Sequence, residues 1–328
     1  YHAAGYSDKE VNTVFDVLMY SYLTFDEIDI DSSFFGNPKI YIPESLFPED
    51  ANPILAFEDY DDTKSTHPNI RKRRDAISKE IKNYSEWKNN SSFIDTEEFK
   101  TIQNIARFET VRENLLKADY IMALYEIYIL EKEFPTNEYL QMNKAVAWAT
   151  INQISIGRKM NKLTEEIDKK EGAISLLYGF FKNISQDDLT LLSLRQIEDI
   201  YKQYPSSQRL KEIRKETIIS LARSRNFKIE ELENISFYDA LELLESQSDS
   251  TITKADIEIQ EKEGETKYDR IRRIREQQKS QGNIKSELTD ENYSKFLLYD
   301  LVNDGEFNEI FNSEKENHSR RKVVRQIG

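Results

Sequence analysis

The fold of this chain is decided by the stretch Leu115-Leu116-Lys117-Ala118-Asp119-Tyr120-Ile121-Met122-Ala123-Leu124-Tyr125, which Phe134-Pro135-Thr136-Asn137 closes. The pattern predicts two helices joined by a tight turn, with Asp119 placed to cap the second helix. Ala123 is small where two helices must approach closely. Pro135 ends the unit because proline cannot donate a helical hydrogen bond. We therefore predict one helix-turn-helix repeat over Asn104 to Asn137.

The length and spacing of this unit resemble those of a tetratricopeptide repeat. A second repeat is predicted to begin with a helix over residues 138–151, in which Ala145 and Trp148 face inward. Asn303 to Phe307 is a weaker copy of the turn. Repeats of this kind stack into arrays with a concave binding face. The predicted fold class is all-α, a tetratricopeptide-like array that follows an N-terminal helical segment.

The amino-acid composition agrees with a helical protein. The chain has 328 residues, of which 38% are hydrophobic and 32% charged, with 9 glycines and 7 prolines. Such a low content of glycine and proline argues against a β-sandwich or a loop-rich fold. The chain contains no cysteine, which excludes disulfides, zinc-thiolate sites and cysteine nucleophiles.

The charge and hydropathy of the chain limit its partners. A net charge of −14 argues against nucleic acid, because phosphate recognition needs a positive field. We interpret the basic run Arg71 to Arg74 as a solvated helix face. No apolar run reaches the roughly 18 to 20 residues that cross a bilayer, so we expect no membrane-spanning segment. The chain begins at Tyr1, and we expect it to be a fragment or a processed product.

Helix start signals and prolines outline the remaining elements. Ser7-Asp8-Lys9-Glu10 predicts a helix start, and Pro68 fits the first turn of a helix that runs to about Tyr84. Four prolines interrupt residues 30–60, which predicts an irregular packed segment with a short strand near Lys39 to Ile42. Further helices are predicted at about 187–204, 207–224, 237–246 and 268–279, and from Thr289 through Leu301.

Catalytic signatures are scarce in this sequence. The histidines are His2, His67 and His318, and no HExxH, Walker, GxGxxG, GxSxG or kinase motif occurs. We therefore expect no zinc site built by this chain alone, and we predict no catalytic residue, metal ligand or cofactor in it. The adjacent acids Asp61 and Asp62 are interpreted as solvated loop residues.

One segment is nevertheless distinctive, Ser65-Thr66-His67-Pro68-Asn69-Ile70-Arg71-Lys72-Arg73, where a His-Pro pair precedes an arginine on the opening helix. It resembles the segment that closes the catalytic domain of HtpX- and BepA-type zinc metallopeptidases. Tyr1-His2-Ala3-Ala4-Gly5-Tyr6 is similar to the turn after that family's third metal ligand. Some members carry tetratricopeptide repeats directly after the protease domain. The resemblance covers residues 1–84 and the order of the repeat behind them.

This resemblance implies a cleft and a parent enzyme. His67 and Arg73 would line the catalytic cleft, while the HExxH helix and the third ligand would lie before Tyr1. Zinc is therefore expected in the full-length parent, and this chain is expected to be inactive by itself. A location in the cell envelope or periplasm is implied in the same way. The alternative is that His67 caps a helix and that Arg73 pairs with Asp75 or a nearby acid.

Aromatic residues on the paired helices are candidates for contact with a client. Tyr125, Tyr128 and Trp148 are predicted to grip a protein or peptide on the concave face, against the interpretation that such residues belong to the core. The predicted function is a non-catalytic protein-binding region of a zinc metallopeptidase. The alternative function is a stand-alone helical-repeat scaffold with no protease partner.

The expected organisation has four parts, which differ in composition and in pattern. They are a remnant of the metallopeptidase domain (1–92), the helical repeats (93–246), a polar linker with a charged helix (247–288), and a C-terminal helical unit with a basic tail (289–328).

Overall fold

The regular structure of this protein is helical. A computed structural model describes residues 1–32, 34–35, 37, 39–88, 96–165, 167–224, 227–249 and 288–327. Within these ranges the chain forms eleven α-helices and no β-strand, which confirms the predicted all-α class. The short strand expected near Lys39 to Ile42 is wrong, because this backbone enters a turn in which the Ile40 amide donates to the Asn37 carbonyl at 2.9 Å.

The helices are labelled in chain order. They are α1 (Asp8–Tyr20), α2 (Ile70–Ile81), α3 (Glu97–Leu116), α4 (Tyr120–Glu131), α5 (Glu138–Ile156), α6 (Met160–Thr164), α7 (Ile174–Asn183), α8 (Gln186–Gln203), α9 (Gln208–Arg223), α10 (Phe237–Asp249) and α11 (Gly305–Ile327). A side-chain oxygen that accepts a first-turn amide caps many of the starts. These caps are Ser7, Asn69, Thr96, Asp119, Asn137, Ser185 and Ser207.

The chain folds into two compact units, and each unit is built from two separate stretches of the sequence. The first unit comprises Tyr1–Asp31 and Phe47–Ile184, and the second comprises Ser32–Leu46 and Ser185–Gly328. The expected boundary after residue 92 does not coincide with this division. The reason is that the N-terminal segments make side-chain contacts with helices far along the chain.

Tyr125 and Asn52 make two such contacts in the first unit. The Tyr125 hydroxyl accepts from the Ile28 amide at 3.1 Å. The Asn52 side-chain amide donates to the carbonyls of Ile167 at 2.9 Å and Lys170 at 2.8 Å. These bonds join residues about a hundred positions apart, so the N-terminal segment is part of the first helical unit.

Helices α3 and α4 form the predicted helix-turn-helix. Ala118 adopts a positive φ of 61° between them, and Asp119 accepts from the Met122 amide at 3.2 Å. A three-residue connection between packed helices makes them antiparallel. Apolar residues from α3, α4 and α5 form a buried cluster. They are Val111, Ile127, Leu130 and Leu140, with Phe25, Phe108, Leu115 and Phe134 at the edge.

The irregular segment after residue 46 packs on α7 because one helix position carries no side chain. A Cβ atom at Gly179 would lie 2.2 Å from Cγ of Pro48, which is closer than two carbon atoms can approach. The Phe47 and Phe180 rings stack beside it with centroids 4.8 Å apart. Glycine at this position therefore allows the proline-rich segment to cover the helix.

The second unit is held by two buried arginines. Arg214 on α9 contacts Glu198 of α8 at 2.5 Å and Glu306 of α11 at 2.9 Å. Arg195 on α8 contacts Asp199 and Asp300, each at 2.5 Å. Both guanidinium groups thus connect α8 to the C-terminal part of the chain, and α9 packs against α8 and α11.

Residues 32–46 complete this second unit. The Gln196 side chain donates to the Phe35 carbonyl at 3.2 Å. The Tyr41 hydroxyl donates to Asp290 at 2.7 Å, and its ring stacks on Phe237 with centroids 4.3 Å apart. This short N-terminal piece is therefore bound between α8, α10 and the C-terminal residues.

The C-terminal segment differs in part from the prediction. The helix expected from Thr289 through Leu301 is wrong, since these residues form turns and a 3₁₀-helix at Tyr293–Phe296. Apolar spacing does not separate α from 3₁₀ geometry over so short a stretch. Only the second half of the turn copy is present. Asp304 accepts from the Phe307 amide at 2.7 Å and starts α11, but turns precede it where α3 precedes Asp119. The helix expected at 268–279 and most of the 247–288 linker lie outside the described residues.

Among the described helices, none combines the length and the apolar character needed to cross a lipid bilayer.

Candidate functional site: the His67 loop and the exposed face of α3

The loop before α2 is organised by Asn69, not by the histidine next to it. The side-chain carbonyl oxygen of Asn69 accepts a hydrogen bond from the Lys72 amide at 3.0 Å and caps α2. Its side-chain amide donates to Asp59 at 3.1 Å and to the Tyr60 carbonyl at 2.9 Å. Asn69 is buried, so it joins the start of α2 to the preceding loop.

Asp62 supports the same loop from the outside. It accepts from the Asn69 amide at 2.6 Å and from the Lys72 ammonium at 2.7 Å. The Lys72 hydrogen bond, followed by the Asn69 amide, holds the pKa of Asp62 below its usual range. Asp62 is therefore an ionised loop anchor near neutral pH. Its side chain is only 12% exposed, so its interpretation as a solvated acid is wrong.

We expect Asn69→Ala to destabilise the first unit by about 2 kcal/mol. The change removes a helix cap and leaves the Tyr60 carbonyl without its side-chain donor. The matched control is Asn83→Ala, because Asn83 makes only an exposed contact with Glu80 and should cost under about 0.5 kcal/mol. Urea unfolding of both variants tests this, and equal midpoints would show that Asn69 does not anchor the loop.

His67 lies on this loop with an exposed side chain. It precedes Pro68, which disfavours the helical conformation for its predecessor. The predicted helix cap at His67 is wrong, because Asn69 occupies the capping position. The exposed imidazole is therefore not part of the cap of α2.

Of the two neighbouring arginines on α2, Arg74 makes the recognised ion pairs and Arg73 lies against an aromatic ring. The Arg73 guanidinium lies 5.7 Å from the centroid of the Phe15 ring on α1. The ion pairs belong to Arg74, which contacts Asp16 at 2.7 Å and Glu58 at 2.8 Å. The alternative that Arg73 pairs with a nearby acid is therefore wrong.

The other two histidines lie near opposite ends of the sequence. The His2 ring lies between Tyr84 and Trp87, with centroids 5.0 and 4.9 Å away, and its Nε2 is 2.8 Å from the Ser85 carbonyl. His318 lies on α11. Within the part of the chain that the structure describes, no group of three His, Cys, Asp or Glu side chains is placed to hold a metal ion.

Two of the three aromatic candidates for client contact are core residues. Tyr125 and Trp148 are both 0% exposed, so neither side chain can touch a client on the folded protein. Burial also raises the pKa of the Tyr125 hydroxyl to about 12. The ring of Trp148 packs on Phe181 at 5.4 Å between centroids. The core interpretation is correct for these two residues.

Tyr128 keeps a partly exposed surface but is engaged by a neighbour. The Lys144 ammonium lies 4.1 Å from the centroid of its ring, and Lys144 pairs with Glu131 at 2.9 Å. A client would therefore meet a lysine-covered ring at this position. Tyr128 stays a candidate for client contact.

Helix α3 carries an exposed apolar face that its sequence pattern does not reveal. Ile102, Ile105 and Leu116 are 67%, 58% and 74% exposed, and we call this set the α3 stripe. Their spacing places them on one side of the helix. The ion pair of Arg112 with Glu109, at 2.8 Å, lies between them in the sequence. The sequence pattern does not reveal this face, because charged residues separate its apolar members. Val111 of the same helix is buried in the core, so apolar residues occur on two sides of α3.

Comparisons of the chain with protein-family models, with curated proteins and with solved structures found no match. The function must therefore be argued from the residues themselves.

Proposed function

We propose that this chain is the non-catalytic, protein-binding region of a zinc metallopeptidase. It presents protein clients to a catalytic domain whose zinc ligands are not in this chain. The observation that carries the client-binding part is the α3 stripe, a row of aliphatic side chains left in water on a regular helix. Ile102 and Ile105 lie one helical turn apart, and grouped exposed apolar side chains of this kind often mark an interaction site.

Segments of unfolded protein fit this surface best. The α3 stripe offers aliphatic side chains at both ends, and Arg112 and Glu109 between them can each meet a backbone or an opposite charge. Tyr139 of α5 adds an aromatic ring 6.0 Å from Phe108. An extended client with spaced apolar residues would remove these groups from water, which is the main favourable contribution to such binding.

The peptidase part of the proposal is supported by residues 65–73. Asn69 fixes the start of α2 to the preceding loop, and the exposed imidazole of His67 on that loop could reach a neighbouring domain. Beside it, α1 leaves Val14, Val17 and Leu18 partly or largely exposed, with the i, i+3, i+4 spacing of a helix that packs on another element. These features suit a loop-helix junction at the edge of a catalytic domain.

Binding of fluorescently labelled, unfolded casein tests the client-binding part. We expect Ile105→Glu to weaken binding by about tenfold or more, because it places a charge in the apolar contact. Gln103→Glu is the matched control, since Gln103 is exposed on the same helix outside the α3 stripe, and it should change affinity less than about twofold. Equal affinities for the two variants would remove the α3 stripe from the proposal.

The peptidase part has a separate test. The coding sequence ahead of Tyr1 should encode an HExxH helix and a later glutamate, and in that full-length protein His67→Ala should reduce peptide hydrolysis or zinc affinity with folding intact. Tyr128→Ala should alter only stability or client binding. Casein binding without an HExxH segment would favour the stand-alone scaffold instead.

A further inference from the structure

Glu126 is an acid placed where the protein offers its charge little compensation. It lies on α4 and is 3% exposed. One carboxyl oxygen accepts from the Asn114 side-chain amide of α3 at 2.7 Å. No lysine, arginine or histidine forms an ion pair with it within the described residues. A buried carboxylate with one neutral donor and no cation is costly, so the environment favours the protonated acid.

The charged groups around Glu126 strengthen this effect. From α3 it faces Glu113, and from the turn it faces Asp119, so both neighbours carry its own sign. Asp119 in turn is held by Lys170 at 3.1 Å and by the Tyr178 hydroxyl of α7.

On α5, the Lys144 ammonium pairs with Glu131 and not with Glu126. Burial, followed by the two neighbouring acids, raises the pKa of Glu126 from 4.5 to about 7, although the Asn114 hydrogen bond opposes the change. Glu126 therefore changes its charge near neutral pH.

We propose that Glu126 is a proton-dependent latch between α3 and α4. With a proton, the carboxyl group remains buried against Asn114 and holds the two helices together. Without it, the carboxylate draws water into the contact and α3 separates more readily from α4. Since α3 carries the stripe exposed to solvent, this opening would also change how that surface is presented.

The direction of the pH effect follows from the two states. The folded protein binds the proton more tightly than the unfolded chain, because its pKa is the higher one. The stabilising contribution is therefore complete below about pH 4.5 and is lost as the pH rises through about 7. Between pH 5.0 and 8.5 the equilibrium constant for opening should rise roughly fiftyfold from this group alone.

Hydrogen exchange of the whole chain at these two pH values, corrected for intrinsic rates, tests the latch. In the wild-type protein, the opening constants of α3 and α4 amides should rise roughly fiftyfold relative to those of α8 and α9, which belong to the other unit. Glu126→Gln should abolish this difference. Glu131→Gln is the matched control on the same helix and should retain it.

Two results would overturn the latch. One is an unchanged ratio between the two pairs of helices in the wild-type protein, a measurement that needs no variant to fold. The other is a pH response that persists in Glu126→Gln. Neither readout involves a client, so the outcome does not depend on the proposed function.

Discussion

Ala123→Arg should unfold the first unit, with a loss of more than about 3 kcal/mol. Ala123 is 0% exposed on α4, and α4 packs against α3, α5 and α7. An arginine there must either enter the core without a counter-ion or push α4 out of its contacts. Both routes cost much of the stability of a domain, which is usually about 5–15 kcal/mol in total.

Thermal unfolding followed by helix ellipticity measures this loss. The matched control is Ala106→Arg, because Ala106 is exposed on the neighbouring helix α3 and arginine is well accepted in helices. The control should melt within a few degrees of the wild type. If Ala123→Arg also did so, α4 could not be the central helix of this unit.

Arg214→Ala should destabilise the second unit by about 3–5 kcal/mol. The side chains of Arg214 and Glu198 are 4% and 2% exposed. Burial already raises the pKa of Glu198 even with the arginine in place. Removal of Arg214 takes away the ion pair that Glu198 makes within the described residues, so this carboxylate must take up a proton or become hydrated. Loss of the contact with Glu306 also frees the start of α11.

Arg223→Ala is the control for this change. Arg223 also lies on α9 and contacts Glu314 at 2.8 Å, but its side chain is 50% exposed, and exposed pairs contribute at most about 1 kcal/mol. Urea unfolding of both variants separates the two cases. Replacing Arg214 and Glu198 together by methionine and leucine should recover most of the loss, and a double variant as unstable as Arg214→Ala would contradict this account.

The local parts of the fold were open to prediction because their signals lie within a few residues. Ser7 and Asp119 were identified as caps from the residues that follow them, and both accept hydrogen bonds from first-turn amides. The turn at Asp304 was found by its likeness to the first. The helix predicted after Thr289 is wrong because the same apolar pattern is compatible with more than one kind of helical turn.

The candidate site was harder to predict, since the direction of a side chain depends on partners far away in sequence. Nothing near Tyr125 indicates that its hydroxyl accepts from Ile28, and this contact makes it a core residue. Arg73 and Arg74 are adjacent and chemically alike, and the positions of Asp16 on α1 and of Glu58 select Arg74 for the ion pairs. The exposure of Ile105 likewise depends on which helices pack against α3.

The segment of residues 32–46 has a consequence for biosynthesis. It is translated early, yet Tyr41 donates to Asp290, 249 positions later. Three residues of this segment are buried in the finished protein, namely Ile40, Tyr41 and Ile42. During synthesis they remain without these partners until α8, α10 and the C-terminal residues have been translated. Contacts of such long sequence separation slow folding. Nascent chains should therefore recruit chaperones at this short apolar stretch, and a truncated product that ends near Ile184 would display it permanently.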